Sequence, residues 1–193
     1  LLISNSPRGS SVLEKPPLEC LDSLTSLILE TLSDELPRVS GNWWQTRVVD
    51  QLTFQQQQHV RTSNIAELRR LDLAALLRVL DQNWFDLAEK RSWPRSARNW
   101  LKEAQTIRNR WAHAPASGLD DSDVYRDLDT IERLMALLGA DVDALKSLKT
   151  IKLSLIASLS GQLESAKSPA SIQPLPASAF GKGTLVRLKA RPA

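Results

Sequence analysis

The chain has 193 residues, 42% of them apolar, and a formal net charge of +3. That is enough material for one medium domain with tails, and too little excess charge for a globally basic nucleic-acid binder. A single cysteine, Cys20, excludes an internal disulfide framework and a cysteine-based metal site, and the two histidines, His59 and His113, are too scattered for a histidine site, so neither a metal nor another cofactor is expected. No apolar run approaches the roughly 20 residues of a membrane span. Leu1-Leu2-Ile3 is too short for a signal-peptide core. With one thiol, the reducing cytoplasm is the expected compartment.

Residues 1–17 read as a disordered leader, with Pro7, Gly9, several serines and Pro16-Pro17 and little to bury. The first residue is not Met, and the chain reads as a piece of a longer protein. From Leu18 the spacing Leu21, Leu24, Leu27, Ile28, Leu32 predicts a helix, ended by Pro37. Asn42 is a candidate cap for a short helix from Trp43-Trp44 to about Leu52. Gln55–Gln58 and Thr62-Ser63-Asn64 read as a connecting loop. After Asp72 a stronger helix carries Leu73, Leu76, Leu77, Leu80, Trp84 and Leu87 as a one-sided stripe. Beyond Ser92-Trp93-Pro94, Ser96 is a candidate cap for a helix with Ala97, Trp100, Leu101, Ala104, Ile107 and Trp111 on one face, ended by Pro115 and Gly118.

Asp120-Asp121-Ser122 opens the next helix, with acids where the helix dipole favours them. Its stripe is Val124, Leu128, Ile131, Met135 and Leu138, and Gly139 is its stop. Asp141 restarts a longer helix to about Glu164, lined by Leu145, Leu148, Ile151, Leu155, Leu159 and Leu163. The expected domain is 18–165, an all-α bundle. Residues 166–179, with Pro169, Pro174 and Pro176, read as a linker. In 180–193, Thr184-Leu185-Val186-Arg187-Leu188 alternates like a strand and reads as the truncated start of a β-containing domain. Trp84, Trp100 and Trp111 sit on stripes and read as core. Trp43 and Trp44 cannot both face inward on one helix, which leaves one for stacking or a partner.

Charge is uneven. Between Lys90 and Arg110 stand seven basic residues (Lys90, Arg91, Arg95, Arg98, Lys102, Arg108, Arg110) against one acid, Glu103, a local excess of +6 (7 − 1). Such a run meets phosphates or is simply a solvated helix face. Of these, Arg95, Arg98, Lys102 and Arg110 are the candidate nucleic-acid contacts. His59 has no acid or nucleophile near it in sequence and reads as a surface residue. No Gly-rich phosphate loop and no recognisable serine-nucleophile motif is present.

His113 closes the helix that carries Arg108, Asn109 and Arg110. The segment Ile107-Arg108-Asn109-Arg110-Trp111-Ala112-His113 resembles the signature of HEPN ribonucleases (the higher-eukaryote and prokaryote nucleotide-binding helical family): an Arg, often followed by a polar residue such as Asn, then a His a few positions on, at the end of a helix. Leu71 to Leu80, Asn83-Trp84, Arg98-Asn99-Trp100 and Asp129 to Leu134 are similar to a subfamily often fused to helicases or ATPases in bacterial phage-defence systems. The resemblance covers about Trp43 to Ala140.

The resemblance implies a HEPN-like bundle and a metal-independent endoribonuclease that works as a homodimer. Arg108 and His113 are its catalytic residues and Asn109 assists; the products end in a 2′,3′-cyclic phosphate. It also implies, as partner, a helicase or ATPase domain of the same longer phage-defence or toxin protein. The alternative within the family is a noncatalytic HEPN module for dimerisation, partner docking or nucleic-acid binding.

The residue chemistry fits the catalytic version. RNA carries its own nucleophile, the 2′-OH. Histidine, with a reference pKa of about 6.5, serves as acid or base, and Arg presents a planar cationic fork to phosphate oxygens. On a continuous helix, however, Arg108 and His113 are about 140° apart. A compact site in one copy therefore needs the last turn to unwind toward Pro115, and pairing of two copies is the other route. The structural alternatives are His113 as a helix-terminal cation, Arg108 and Arg110 paired with acids such as Glu103 or Asp120, and Asp81 and Asp86 as structural acids.

Overall fold

The computed structural model describes residues 17–115 and 118–167. The expected leader (apart from Pro17), the linker beyond Lys167 and the strand at Thr184–Leu188 lie outside the described residues. Among those described there are seven α-helices and no strand: α1 (Glu19–Val39), α2 (Phe54–Thr62), α3 (Leu73–Gln82), α4 (Trp84–Lys90), α5 (Ala97–Ala112), α6 (Asp121–Leu138) and α7 (Val142–Lys167). α1, α3, α5 and α6 form a closed ring in which each packs against the next, and α7 lies along α6.

The stripes read from the sequence are the faces that meet. Leu24, Ile28 and Leu32 of α1, Leu76, Leu77 and Leu80 of α3, Leu101 of α5, and Leu128 and Ile131 of α6 have no exposed surface. Each such side chain contributes about 1.5–3 kcal/mol relative to exposure. Trp84 and Trp111 are buried as expected, whereas Trp100 is half-buried at the edge of the core. Burial pushes the Cys20 thiol up to about 12, so it stays protonated near neutral pH.

Several boundaries differ from expectation, each for a local reason. Pro37 does not end α1, which runs on to Val39; without an N–H it leaves one i→i−4 bond unmade, and the helix stops two residues later. Trp43-Trp44 opens a π-turn (Trp44–Val48) and a 3₁₀ turn (Val49–Gln51), and the Asn42 side chain caps nothing. This irregular path leaves both tryptophans half-buried, in edge-to-face contact at 5.9 Å. The glutamine-rich stretch is not a loop but α2. Thr53 and Gln56 form a capping box at its start. The stripe Leu73–Leu87 is broken at Asn83, whose buried amide donates to the carbonyls of Val79 and Arg47, both at 2.8 Å. The side chain of Ser96 does not cap α5. Leu163 of α7, expected to face the core, is 63% exposed.

α6 begins and ends on the expected residues. The Asp120 carboxylate accepts from the Ser122 N–H at 2.8 Å, and that bonding lowers its pKa below the ordinary value, the Ser122 hydroxyl contributing most. Gly139 takes φ +91° as the left-handed cap. An added Cβ there would meet nothing within 4 Å, so the cost of a side chain is backbone strain alone. Gly139→Ala is expected to destabilise the fold by roughly 1–2 kcal/mol, read as a lower urea midpoint at unchanged m-value.

Candidate nucleic-acid site at the end of helix α5

α5 keeps regular hydrogen bonding through Ala112, so its two long faces are fixed. Ala97, Leu101, Ala104, Ile107 and Trp111 point into the core. Arg108 leaves the edge of that stripe toward α3, and Arg110 leaves it toward α6. His113 steps out of the helix (φ −117°, ψ 21°), and its ring is exposed. The expected unwinding is therefore confined to His113 itself. No hydrogen bond joins its imidazole to Arg108 or Asn109 among the described residues.

Arg108 reaches across to the start of α3. Its Nη2 lies 3.2 Å from Asp72 Oδ2, and its Nη1 donates to Asn109 Oδ1 at 3.3 Å. Asp72 is occupied on its other oxygen, which accepts the Ala75 N–H at 2.9 Å and caps α3. The Arg108 side chain is 29% exposed and that of Asp72 61%. A single contact to a solvated carboxylate contributes only about 0–1 kcal/mol, so a phosphate offering two oxygens can displace it. Arg108 and Asn109 stand at one end of a polar groove of about 220 Å³ between α3 and α5, whose walls include Arg78, Gln82, Lys102 and Gln105.

The other candidates sit differently. Arg110 is not beside Arg108: its guanidinium pairs with the buried Asp127 of α6, whose second oxygen accepts the Trp111 indole N–H at 2.7 Å. Arg98 and Lys102 both bind the buried Asp81, at 2.9 and 2.5 Å. Arg91 and Lys90 reach Glu35 on α1, Arg91 at 2.8 Å and Lys90 at 3.8 Å. Arg95 is exposed and makes no ion pair among the described residues. Neither Glu103 nor Asp120 pairs with the motif arginines; Glu103 instead accepts from the Thr130 hydroxyl at 2.8 Å. Asp81 has the structural use expected of it, as does Asp86, which holds Arg47 at 2.6 Å.

All but Arg95 of the seven cations in that run are thus paired in three dimensions. These acids come from α1, α3 and α6 and from the residue that caps α3, between 17 and 56 residues away in sequence. What remains open at the end of α5 is the exposed His113 ring and the weakly held guanidinium of Arg108. Missed in sequence were Arg78, Gln82 and Gln105, which join the groove from stripes on α3 and α5. Their positions at 78 and 82, and at 102, 105 and 109, follow helical spacing and are the signal that locates them.

Comparison with known families and proteins agrees with this arrangement at one level. The family model for Swt1-like HEPN matches residues 19–139, from the first residue of α1 to the glycine that ends α6. No curated protein and no solved structure matches the chain.

Proposed function

We propose that this chain, which belongs to the Swt1-like HEPN family, is a metal-independent endoribonuclease module that acts as a dimer. The observation that carries the reading is the presence at one helix end of an exposed imidazole and of a guanidinium restrained only by a solvated carboxylate and the neighbouring Asn109 side chain. In the proposed step an RNA 2′-oxygen attacks the adjacent phosphorus, and the P–O5′ bond breaks. One His113 imidazole accepts the 2′-OH proton, and the departing 5′-oxygen takes a proton from a second imidazole in its acid form. Arg108 stabilises the charge that builds on the non-bridging oxygens. Asn109, bonded to Arg108, holds that fork in place. Two copies supply the two imidazoles, and they also answer the divergence of Arg108 and His113 around α5.

The setting in this reading is a longer phage-defence or toxin protein with a helicase or ATPase domain. It is supported by the resemblance of residues 71–80, 98–100 and 129–134 to that subfamily. One observation favours a second reading, a noncatalytic HEPN module for dimerisation, docking or RNA binding. Arg98, Lys102 and Arg110 are spent on the buried carboxylates Asp81 and Asp127, which leaves few free charges for a long RNA strand.

Incubating the chain with RNA in EDTA separates the readings. The ribonuclease reading expects fragments bearing 5′-hydroxyl and 2′,3′-cyclic phosphate ends. RNA that stays whole at concentrations where the chain is dimeric would retire catalysis in favour of the noncatalytic module.

A further inference from the structure

We propose that the hollow between α2 and the start of α3 is the base-binding pocket for the ribonucleotide whose phosphate rests on Arg108, an inference that builds on the RNA reading above. The hollow has a volume of about 300 Å³, at the lower end of the range for small-molecule sites. Its floor is apolar and made of the buried Leu52, Val60 and Leu71. Its rim is polar and carries Gln56, His59, Arg70 and Asp72. A nucleobase has this division of properties, with apolar faces and an edge of donors and acceptors. The floor covers a face, the imidazole of His59 offers a ring to stack on, and Gln56, whose Oε1 is held by Thr53 in the capping box, offers its amide N–H groups as donors to the edge.

Position ties the hollow to the phosphate site. Gln56 lines both this hollow and the α3–α5 groove. Asp72 lines the hollow too, and its Oδ2 is the atom that holds Arg108 at 3.2 Å. The two depressions therefore meet at the Asp72–Arg108 pair, so a base in one and a phosphate on Arg108 are neighbours, as they are in a nucleotide. The walls are set before any ligand arrives. The capping box of Thr53 and Gln56 fixes the start of α2. Arg70 donates to the carbonyls of Ser63 and Asn64, at 3.3 and 3.2 Å, and fixes its end. A preformed pocket loses less freedom on binding. His59 itself is exposed, and among the described residues its ring makes one hydrogen bond, 3.3 Å to the Ser63 hydroxyl, so it is available to a ligand.

The test is calorimetric titration of the whole chain, in EDTA, with the four nucleoside 3′-monophosphates and with ribose 5-phosphate, which has no base. At least one nucleotide should bind about tenfold more tightly than ribose 5-phosphate, the size of one good hydrogen bond or stacked face. His59→Ala should erase that preference, and Arg108→Ala should weaken all the ligands alike. Equal binding of nucleotides and ribose 5-phosphate, no binding at all, or a preference that survives His59→Ala overturns the pocket. RNA cleavage assayed in parallel keeps the two ideas apart. A base preference without cleavage upholds the pocket and retires the ribonuclease, while cleavage with no base preference does the reverse.

Discussion

Replacing His113 by alanine should lower the rate of RNA cleavage by roughly 10²–10⁴-fold, the usual size of a lost general acid–base group. Its thermal unfolding should stay within about 0.5 kcal/mol of wild type, because the ring is exposed and packs on nothing that a methyl group would fail to support. Arg108→Ala should slow cleavage comparably and cost little stability, since its partner Asp72 is solvated and keeps its cap on α3. Arg108→Lys keeps the charge and loses the fork, so it should recover only part of the rate. Single-turnover cleavage in EDTA beside circular-dichroism melts measures both quantities. A His113→Ala variant that cuts RNA at the wild-type rate ends the catalytic reading.

The same two variants probe how the site is shared. Along α5 the guanidinium turns toward α3, while the imidazole sits past the last turn. The proposed step uses the His113 imidazoles of both copies, so a mixed dimer of the two inactive variants, which holds one His113 and one Arg108, should stay inactive. If instead Arg108 of one copy and His113 of its partner suffice, each mixed dimer has one intact site, and a 1:1 mixture recovers about a quarter of wild-type activity and overturns the two-imidazole step. Complementation therefore measures the geometry directly.

How much of this was legible in the sequence depends on the range of the interaction. The helices with strong stripes, α1, α3, α5 and α6, were readable because 3.6-residue periodicity is a local property and their buried faces match it. α2 was not, because Gln55–Gln58 carries no stripe; its start is signalled only by the capping box of Thr53 and Gln56. The break at Asn83 was hidden inside a good stripe, since what breaks it is a side-chain bond to Arg47, far away in the chain.

The site shows the same division. Arg108, Asn109 and His113 could be picked out as a local motif, and the angle between them followed from helix geometry. The fate of the surrounding charges could not be read. The acids that pair with Arg98, Lys102, Arg108 and Arg110 are Asp81, Asp72 and Asp127, between 17 and 36 residues away, and only the folded ring of helices brings them close. His59 was set aside for want of a neighbouring acid, yet the fold places it on the rim of the same hollow as Asp72.

Arg110 gives the sharpest case, because a clamp and a phosphate contact predict opposite results. Asp127 is buried, with one oxygen on Arg110 and the other on the Trp111 indole N–H at 2.7 Å. Asp127→Ala leaves that N–H buried without an acceptor and Arg110 without its counter-charge. It should cost about 3 kcal/mol, or about 6–12 °C in melting temperature for a domain of this size. Asp127→Asn keeps an acceptor for the indole and should cost less. Because the carboxylate is shielded from solvent, added salt should recover little of the loss.

Arg110→Ala should lower the melting temperature too, by less, as its own side chain is 40% exposed and Trp111 still satisfies one oxygen. It should leave the salt dependence of RNA binding unchanged. Were Arg110 a phosphate contact instead, the same substitution would reduce the slope of log affinity against log salt by about one and leave the melting temperature where it was. The clamp predicts a change in stability alone, since its guanidinium is committed to holding α5 to α6 through Asp127.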